Sequence, residues 1–470
     1  MAETLDIHAL PAPSELPFRD EEGDVNPVFV ARVSESIARS DSHALTELAS
    51  DLHEADLGAL IEHLEHDDRP RFIALMGSDF DYAALTEVDD AVREDILDEL
   101  PNEAIAEGVR DLESDDAIYI LEDLAEEDQE EVLAKLSDAD RLSLGKSLDY
   151  PDGSAGRRMQ TEFIAVPPFW TVGETIDFMR DDDDLPERFY DLYVVDPAHR
   201  LAGRVDLDRL LRTKRPVLIE QIMEEAEHRA QAADDQEEPA RLFRTYNLVS
   251  IPVLDDAERL VGVLTFDDIV DLLDEEADAE IKALGGVKAA EEISDTVWTI
   301  MRSRFTWLFV NLLTAILASG VIALFEASLK SMVALAVLMP IVASMGGNAG
   351  TQSMTVAVRA LATREIDRAN AMRVVRRELT VGILNGLAFA VIMAVVAVAW
   401  YGPAQIGIVI GLAIIITLTA AALGGVLIPM ALEKAGIDPA VASGPLVTTI
   451  TDVVGFFAFL GIATLWLGAR

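Results

Sequence analysis

Cysteine is absent from the 470 residues, which removes disulfides and thiolate metal ligands together and leaves hard cations, held by oxygen, as the metals this chain can bind. Lysine is scarce, with 7 among 37 basic residues, and no histidine follows His228. Soft and borderline metals such as Co²⁺ therefore lack their customary ligands beyond that point. No phosphate-binding Gly-Lys-Thr loop and no nucleophile motif occur, so neither ATP hydrolysis nor covalent catalysis has a site, and the chain is not expected to be an enzyme. Against 84 Asp and Glu, positive charge is too sparse for nucleic acid, whose phosphates such a surface repels. Mg²⁺ or Ca²⁺ suits this chemistry better than Zn²⁺.

The charge is unevenly spread. Residues 301–470 hold 11 Lys/Arg and 7 Asp/Glu, net +4, so the total of −47 leaves −51 on the first 300 residues. Two readings of that acidity stand together: adaptation to high salt explains scattered surface acids, and cation binding explains acids set beside a conduit. The first residues, with Asp6, His8, Pro11, Pro13 and Pro17, lack the basic start and apolar core of a signal peptide. They read as a disordered tail over 1–25, and the acidic front is expected to stay in the cytoplasm.

From residue 26 to about 150 short amphipathic helices follow one another, with apolar residues at i, i+3, i+4 and i+7: Leu57, Leu60, Ile61, Leu64; Ile96, Leu97, Leu100; Ile118, Leu121, Leu124; Val132, Leu133, Leu136. Asp56, Asp89, Ser114 with Asp115, and Ser137 sit where free N–H groups need an acceptor. Helices this short cannot bury a stripe alone, so they should stack in a solenoid-like superhelix. His53, His63 and His66 lack metal-ligand spacing and read as surface residues.

Between 151 and 274 the pattern becomes a duplicated strand and helix unit. Val194 to Gly203 recurs as Val253 to Gly262, offset by 59 residues, each copy turning at Asp-x-Ala between two strands. This resembles a tandem pair of CBS domains, with Gly262-Val263-Leu264-Thr265-Phe266-Asp267-Asp268 close to that family's Gly-x-x-Thr-x-x-Asp signature. The resemblance implies that Thr265 and Asp268 hold the ribose and phosphate of an adenine nucleotide such as ATP. In the first copy Gly203-Arg204-Val205-Asp206-Leu207-Asp208-Arg209 lacks the Thr and ends in Arg, so at most one such site is intact; otherwise the pair is a scaffold that dimerises.

Five apolar stretches follow, roughly 305–325, 332–358, 379–400, 406–430 and 446–467. Each approaches or exceeds the ~20 residues that cross ~30 Å of hydrocarbon. Arg302 and Arg304 precede the first, and Arg359, Arg364, Arg368, Arg373, Arg376 and Arg377 crowd the loop after the second, which places both in the cytoplasm. The loops at Lys330 and Tyr401 are then external, the loop from Glu433 to Asp438 is cytoplasmic, and the C-terminus lies outside.

Polar residues in lipid are costly, so each is a functional candidate. The second span carries Gly346-Gly347-Asn348-Ala349-Gly350-Thr351-Gln352-Ser353. Gly346 and Gly350, four apart, suit close helix packing, and Asn348, Thr351 and Gln352 offer acceptors to a hydrated ion. The fifth span carries Asp452 in Pro445-Leu446-Val447-Thr448-Thr449-Ile450-Thr451-Asp452. A carboxylate about six residues into a span needs water or a cation.

The order of acidic helical domain, CBS pair and five spans, together with Gly-Gly-Asn-Ala-Gly-Thr-Gln and Pro-Leu-Val-Thr-Thr-Ile-Thr-Asp, resembles the MgtE family of Mg²⁺ transporters and channels. The resemblance implies a multidomain membrane protein: a superhelical N-domain (26–150), α/β tandem CBS domains (151–274), a long connecting plug helix (275–303) and an all-α domain of five helices (304–470). It further implies a plasma-membrane homodimer with its pore between subunits and Asp452 binding hydrated Mg²⁺, a fitting role because Mg²⁺ sheds water reluctantly. Thr448, Gly444 and Pro445 are further pore-lining candidates, the last two expected to break the helix and turn carbonyls to the pore; relatives often carry Asn where Gly444 stands. Regulatory Mg²⁺ is implied at the acids of the connecting segment, Asp267, Asp268, Asp271, Glu275 and Glu276, with Asp438 as the loop acid. Two rival readings remain: transport of another divalent such as Co²⁺, and a membrane-anchored nucleotide sensor. With no ATPase motif, flux runs down the electrochemical gradient.

Overall fold

The computed structural model describes all residues except 1–15, 183, 184, 187, 289, 290, 292–295, 367–369 and 468–470, and the side chain of 467. The chain forms two compact units, 1–274 and 275–470.

Nine α-helices open the first unit: α1 (Pro27–Arg39), α2 (Ser42–Ala49), α3 (Glu54–His63), α4 (Arg69–Met76), α5 (Asp90–Glu99), α6 (Asn102–Arg110), α7 (Ser114–Glu122), α8 (Glu126–Lys135) and α9 (Asp138–Leu148). Each is too short to be stable alone. Stability comes from one continuous core running from Phe18 to Leu144, in which α6 packs on α8, α7 on α9 and α2 on α4. The expected caps hold in part. Asp89 and Ser137 stand at N-caps, Ser137 accepting the Asp140 N–H at 3.2 Å, whereas α3 is capped by His53 Nδ1, which accepts from Ala55 N. All three expected surface histidines are exposed. A large charged side chain, Arg93, is buried in this core, its guanidinium meeting Asp123 at 2.5 Å and Asp90 at 2.7 Å and lying 4.2 Å from the Tyr119 ring centroid. The tail is shorter than expected: residues 1–15 lie outside the described residues, but Phe18 is buried edge-on against Phe29 and Arg19 pairs with Asp56.

The duplicated unit folds twice in the same way. The first copy has β1 (Ala165–Val166), α10 (Val172–Asp181), β2 (Asp191–Val195), β3 (Leu201–Asp206) and α11 (Leu207–Arg212). The second has β4 (Ala230–Gln231), α12 (Glu237–Tyr246), β5 (Ser250–Leu254), β6 (Leu260–Thr265) and α13 (Phe266–Leu284). In each three-stranded sheet the first strand is parallel and the third antiparallel to the second. The Asp-x-Ala turns work as read: Asp196 accepts from Ala198 and Arg200 N–H groups, Asp255 from Ala257 and Arg259. Such an Asx turn lets His199 and Glu258 sit at φ of 62° and 60°. The copies meet through a buried chain in which Tyr193 Oη lies 2.8 Å from Ser250 Oγ and Ser250 Oγ donates to Asp191 Oδ2 at 2.6 Å.

The expected connecting helix over 275–303 is not one helix. α13 starts earlier, at Phe266, and stops at Leu284, where Gly285-Gly286 follows and Gly286 takes φ +74°, a left-handed conformation that ends a helix at little cost. A new helix, α14 (Val297–Ala323), is capped by Thr296 and runs on into the first span; residues 289, 290 and 292–295 between them lie outside the described residues.

Among the described residues five helices are long and apolar enough to cross a bilayer: α14, α16 (Val333–Ala362), α17 (Ala371–Tyr401), α18 (Ala404–Lys434) and α19 (Pro439–Leu467), with a short α15 (Glu326–Ser331) after the first. The number matches the expectation. α18 is the central helix, packed on α16, α17 and α19. Glycines permit this closeness: a Cβ at Gly386 would lie 3.0 Å from Ile415 Cα.

Candidate functional site

α19 carries Asp452 thirteen residues after Pro439, about 20 Å along the helix and near its middle. The span begins earlier than its apolar composition suggested, so the carboxylate lies deeper than the sequence implied. Asp452 is half-buried and makes no hydrogen bond or ion pair among the described residues. Beside it, α16 crosses α19 antiparallel: a Cβ at Gly346 would meet Thr417 Cγ2 at 2.6 Å and Thr451 Cβ at 3.4 Å, and one at Gly350 would meet Val447 Cγ1 at 2.8 Å. Gly346 and Gly350 thus serve helix packing, whereas a Cβ at Gly347 would meet nothing within 4 Å. The polar residues of the run do not serve it: Asn348, Thr351 and Gln352 on α16 are exposed, as is Thr448 on α19 one turn before Asp452. One polar strip therefore runs along two helices at the depth of Asp452.

Gly444 and Pro445 do not break the helix. α19 continues unbroken through both, and their carbonyls accept from Thr448 Oγ1 at 3.0 Å and Thr449 Oγ1 at 2.5 Å. Both hydroxyls bond back onto carbonyls one turn earlier, as threonines along a continuous helix do. Asp438 is also occupied structurally, its Oδ1 accepting the Ala440 N–H at 2.8 Å at the start of α19. Glu378 on α17 was missed because the apolar run starts one residue later. It is 13 % exposed, accepts from Ser353 Oγ of α16 at 3.1 Å and pairs with Arg377.

The end of α13 reaches these helices. Ala283 packs with Met354 and Val358 of α16 and Ala440 and Val447 of α19, and Arg359 donates to Glu280 at 3.0 Å. Glu275 and Glu276 lie on the same helix.

A second acidic locus lies within the first unit. Asp268, at the start of α13, faces Asp115, Asp116 and Glu113 at the start of α7. Burial, with these like charges, pushes Asp116 and Asp268 up to about 7 and raises Asp115 well above the carboxylate range. Burial raises Glu87 and Asp271 too; Asp271 adds to the shift of Glu87, and Asp267 to that of Asp271. Asp267, Asp268 and Asp271 are thus brought together with Glu87, Asp115 and Asp116; of these last three the sequence singled out Asp115 alone, and only as a helix cap. Among the described residues no three His, Asp or Glu are already arranged around one metal position. Thr265 Oγ1 donates to Asp268, while in the first copy Arg209 pairs with Glu224.

Family models match in the order of the fold: "MgtE intracellular N domain" over 52–153, "CBS domain" over 219–275 and "Divalent cation transporter" over 339–462. The magnesium transporter MgtE of Thermus thermophilus is 32 % identical over 458 residues, covering 93 % of this chain and 98 % of its own. The chain belongs to the MgtE family. The MgtE of Enterococcus faecalis is 34 % identical, covering 68 % of this chain and 70 % of its own. The solved cytosolic domain of the Mg²⁺ channel MgtE in complex with ATP is 28 % identical, covering 52 % of this chain and 99 % of that one, with a TM-score of 0.48.

Proposed function

We propose that this MgtE chain carries Mg²⁺ across the plasma membrane, down its electrochemical gradient, through a pore completed by a second copy. The observation that carries the reading is the unpartnered carboxylate of Asp452 at mid-span, at the level of the exposed Asn348, Thr351, Gln352 and Thr448. A polar strip in lipid is unstable unless water, a cation or another chain covers it. Two copies facing each other give a water-filled groove with two carboxylates, which hold a hydrated Mg²⁺ through its waters. Gly444 and Pro445 then shape the helix at the cytoplasmic mouth without coordinating. The arginine-rich ends face the cytoplasm and the C-terminus lies outside.

Cytosolic Mg²⁺ is the proposed gate ligand. The acids shared by α7 and α13 repel one another when ionised, and a divalent ion between them removes that cost, favouring the docked arrangement. The link we propose to the pore is covalent: Asp268 and Ala283, which packs on α16 and α19, stand on the one helix α13. Glu275 and Glu276 on α13 and Asp438 at the start of α19 are proposed as further regulatory Mg²⁺ ligands, within the second unit. Adenine nucleotide binding is assigned to the second CBS copy alone, where Thr265 and Asp268 keep their pairing; the Arg209–Glu224 pair fills the corresponding place in the first.

The test is Mg²⁺ uptake into vesicles by wild type and Asp452→Asn, at low and high Mg²⁺ on the cytoplasmic side. Wild type should conduct at low Mg²⁺ and close at high Mg²⁺, and Asp452→Asn should lose most of its flux at both. Undiminished flux through Asp452→Asn sinks the reading.

A further inference from the structure

α17 ends in a basic foot. Arg373, Arg376 and Arg377 are exposed on it, and although acids outnumber bases by more than two to one in this chain, neither Arg373 nor Arg376 has a carboxylate partner among the described residues. Arg377 is held by Glu378. The stripe above Arg373, at spacings of three and four, is the most lipid-accessible on the helix: Leu384, Leu387, Val391 and Val395 are 61, 50, 66 and 65 % exposed. At the far end Trp400, 63 % exposed, marks the opposite interface. Twenty-four residues separate Arg376 from Trp400, about 36 Å of helix against about 30 Å of hydrocarbon. Arg376 therefore stands about 6 Å beyond the hydrocarbon edge, at the level of lipid phosphates, with Arg373 one turn farther out.

We propose that Arg373 and Arg376 bind the phosphate headgroup of an anionic phospholipid whose acyl chains lie along the Leu384–Leu387–Val391 stripe. A guanidinium suits a phosphate through paired N–H donors, and the bilayer supplies the anion that the acidic cytosolic part of the chain does not. The proposal requires only that α17 crosses the bilayer, and so stands apart from the transport reading.

The test uses the full chain in detergent, offered equal phosphatidylglycerol and phosphatidylcholine, with retained lipid counted by native mass spectrometry. Wild type should retain phosphatidylglycerol preferentially, less so as salt rises. At roughly fivefold per arginine near an anionic surface, the Arg373→Gln/Arg376→Gln double variant should bind it about 25-fold more weakly at low salt. Asp452→Asn, which tests transport, should keep its lipid. Equal retention by the double variant and wild type overturns the proposal. So does wild-type retention that ignores salt, or displacement of the lipid by millimolar inorganic phosphate, which would mark an ion site only.

Discussion

Replacing Asp268 by asparagine isolates the electrostatic cost of seating the helical N-domain on the second CBS copy. The carboxyl of Asp268 is held at about 7 against an ordinary 3.8; at 1.36 kcal/mol per tenfold, ionising it in the docked arrangement costs about 4 kcal/mol. Part of that cost comes from Asp267, beside it on α13 whether docked or open; assigning roughly half to docking leaves about 2 kcal/mol, a near thirty-fold bias against it. The cost overlaps with that of Asp116, since each raises the other, so the two do not add. The sign follows from the raised value: the docked form binds a proton more tightly than the open form, so docking is favoured as pH falls through about 7 and disfavoured above it. Amide exchange of the Ser114–Glu122 segment, in the full chain at pH 7.5, reads the docked fraction. Without Mg²⁺, Asp268→Asn should protect this segment up to thirty-fold more than wild type, and added Mg²⁺ should change it little. Wild type should gain the same protection from Mg²⁺ and only a part of it from a drop to pH 6, which lies just below the raised value and well above the ordinary 3.8. Should the variant exchange as fast as wild type without Mg²⁺, or respond to Mg²⁺ equally, the repulsion argument is wrong.

Two stability predictions follow from packing. Arg93→Ala strands Asp123 beside a buried hole and should cost about 3–5 kcal/mol in denaturant unfolding of the N-domain, whereas Asp90→Ala, removing a partner 58 % exposed, should cost under about 1 kcal/mol. Gly425→Ala puts a Cβ 2.7 Å from Gly350 O and Ser353 Cβ and 2.9 Å from Met354 N, so the membrane unit should lose about 1–3 kcal/mol and unfold at lower temperature. Gly320→Ala on α14, with nothing within 4 Å of its Cβ, should leave that temperature unchanged or raise it.

The architecture was legible wherever one period dominates. Five apolar runs gave five helices because ~20 apolar residues have no stable place outside a bilayer or a large core. The 59-residue repeat gave two matching sheets because an Asp-x-Ala turn fixes the register of the strands beside it. Ends were less legible. α19 starts at Pro439, seven residues before its apolar run, because Pro439 suits the first helical position and Ala440, Val441 and Ala442 extend the helix through Gly444 and Pro445, which read as a break. The expected connecting helix failed at Gly285-Gly286, where two glycines outweigh the acidic helical pattern before them.

Alone, the sequence determined the class of ligand, through the missing thiols and surplus carboxylates, and that one acid lies within a membrane span, through hydrophobicity and span length. These depend on composition and one-dimensional spacing. Only the tertiary structure decided which acids meet: Asp115 and Asp116 lie some 150 residues before Asp268, and their shared burial arises from a contact between α7 and α13 that no local pattern encodes. It also decided that Gly346 and Gly350 of α16 are spent on packing while Asn348, Thr351 and Gln352 beside them are left open, because a helix face is assigned by its neighbours and not by its own residues.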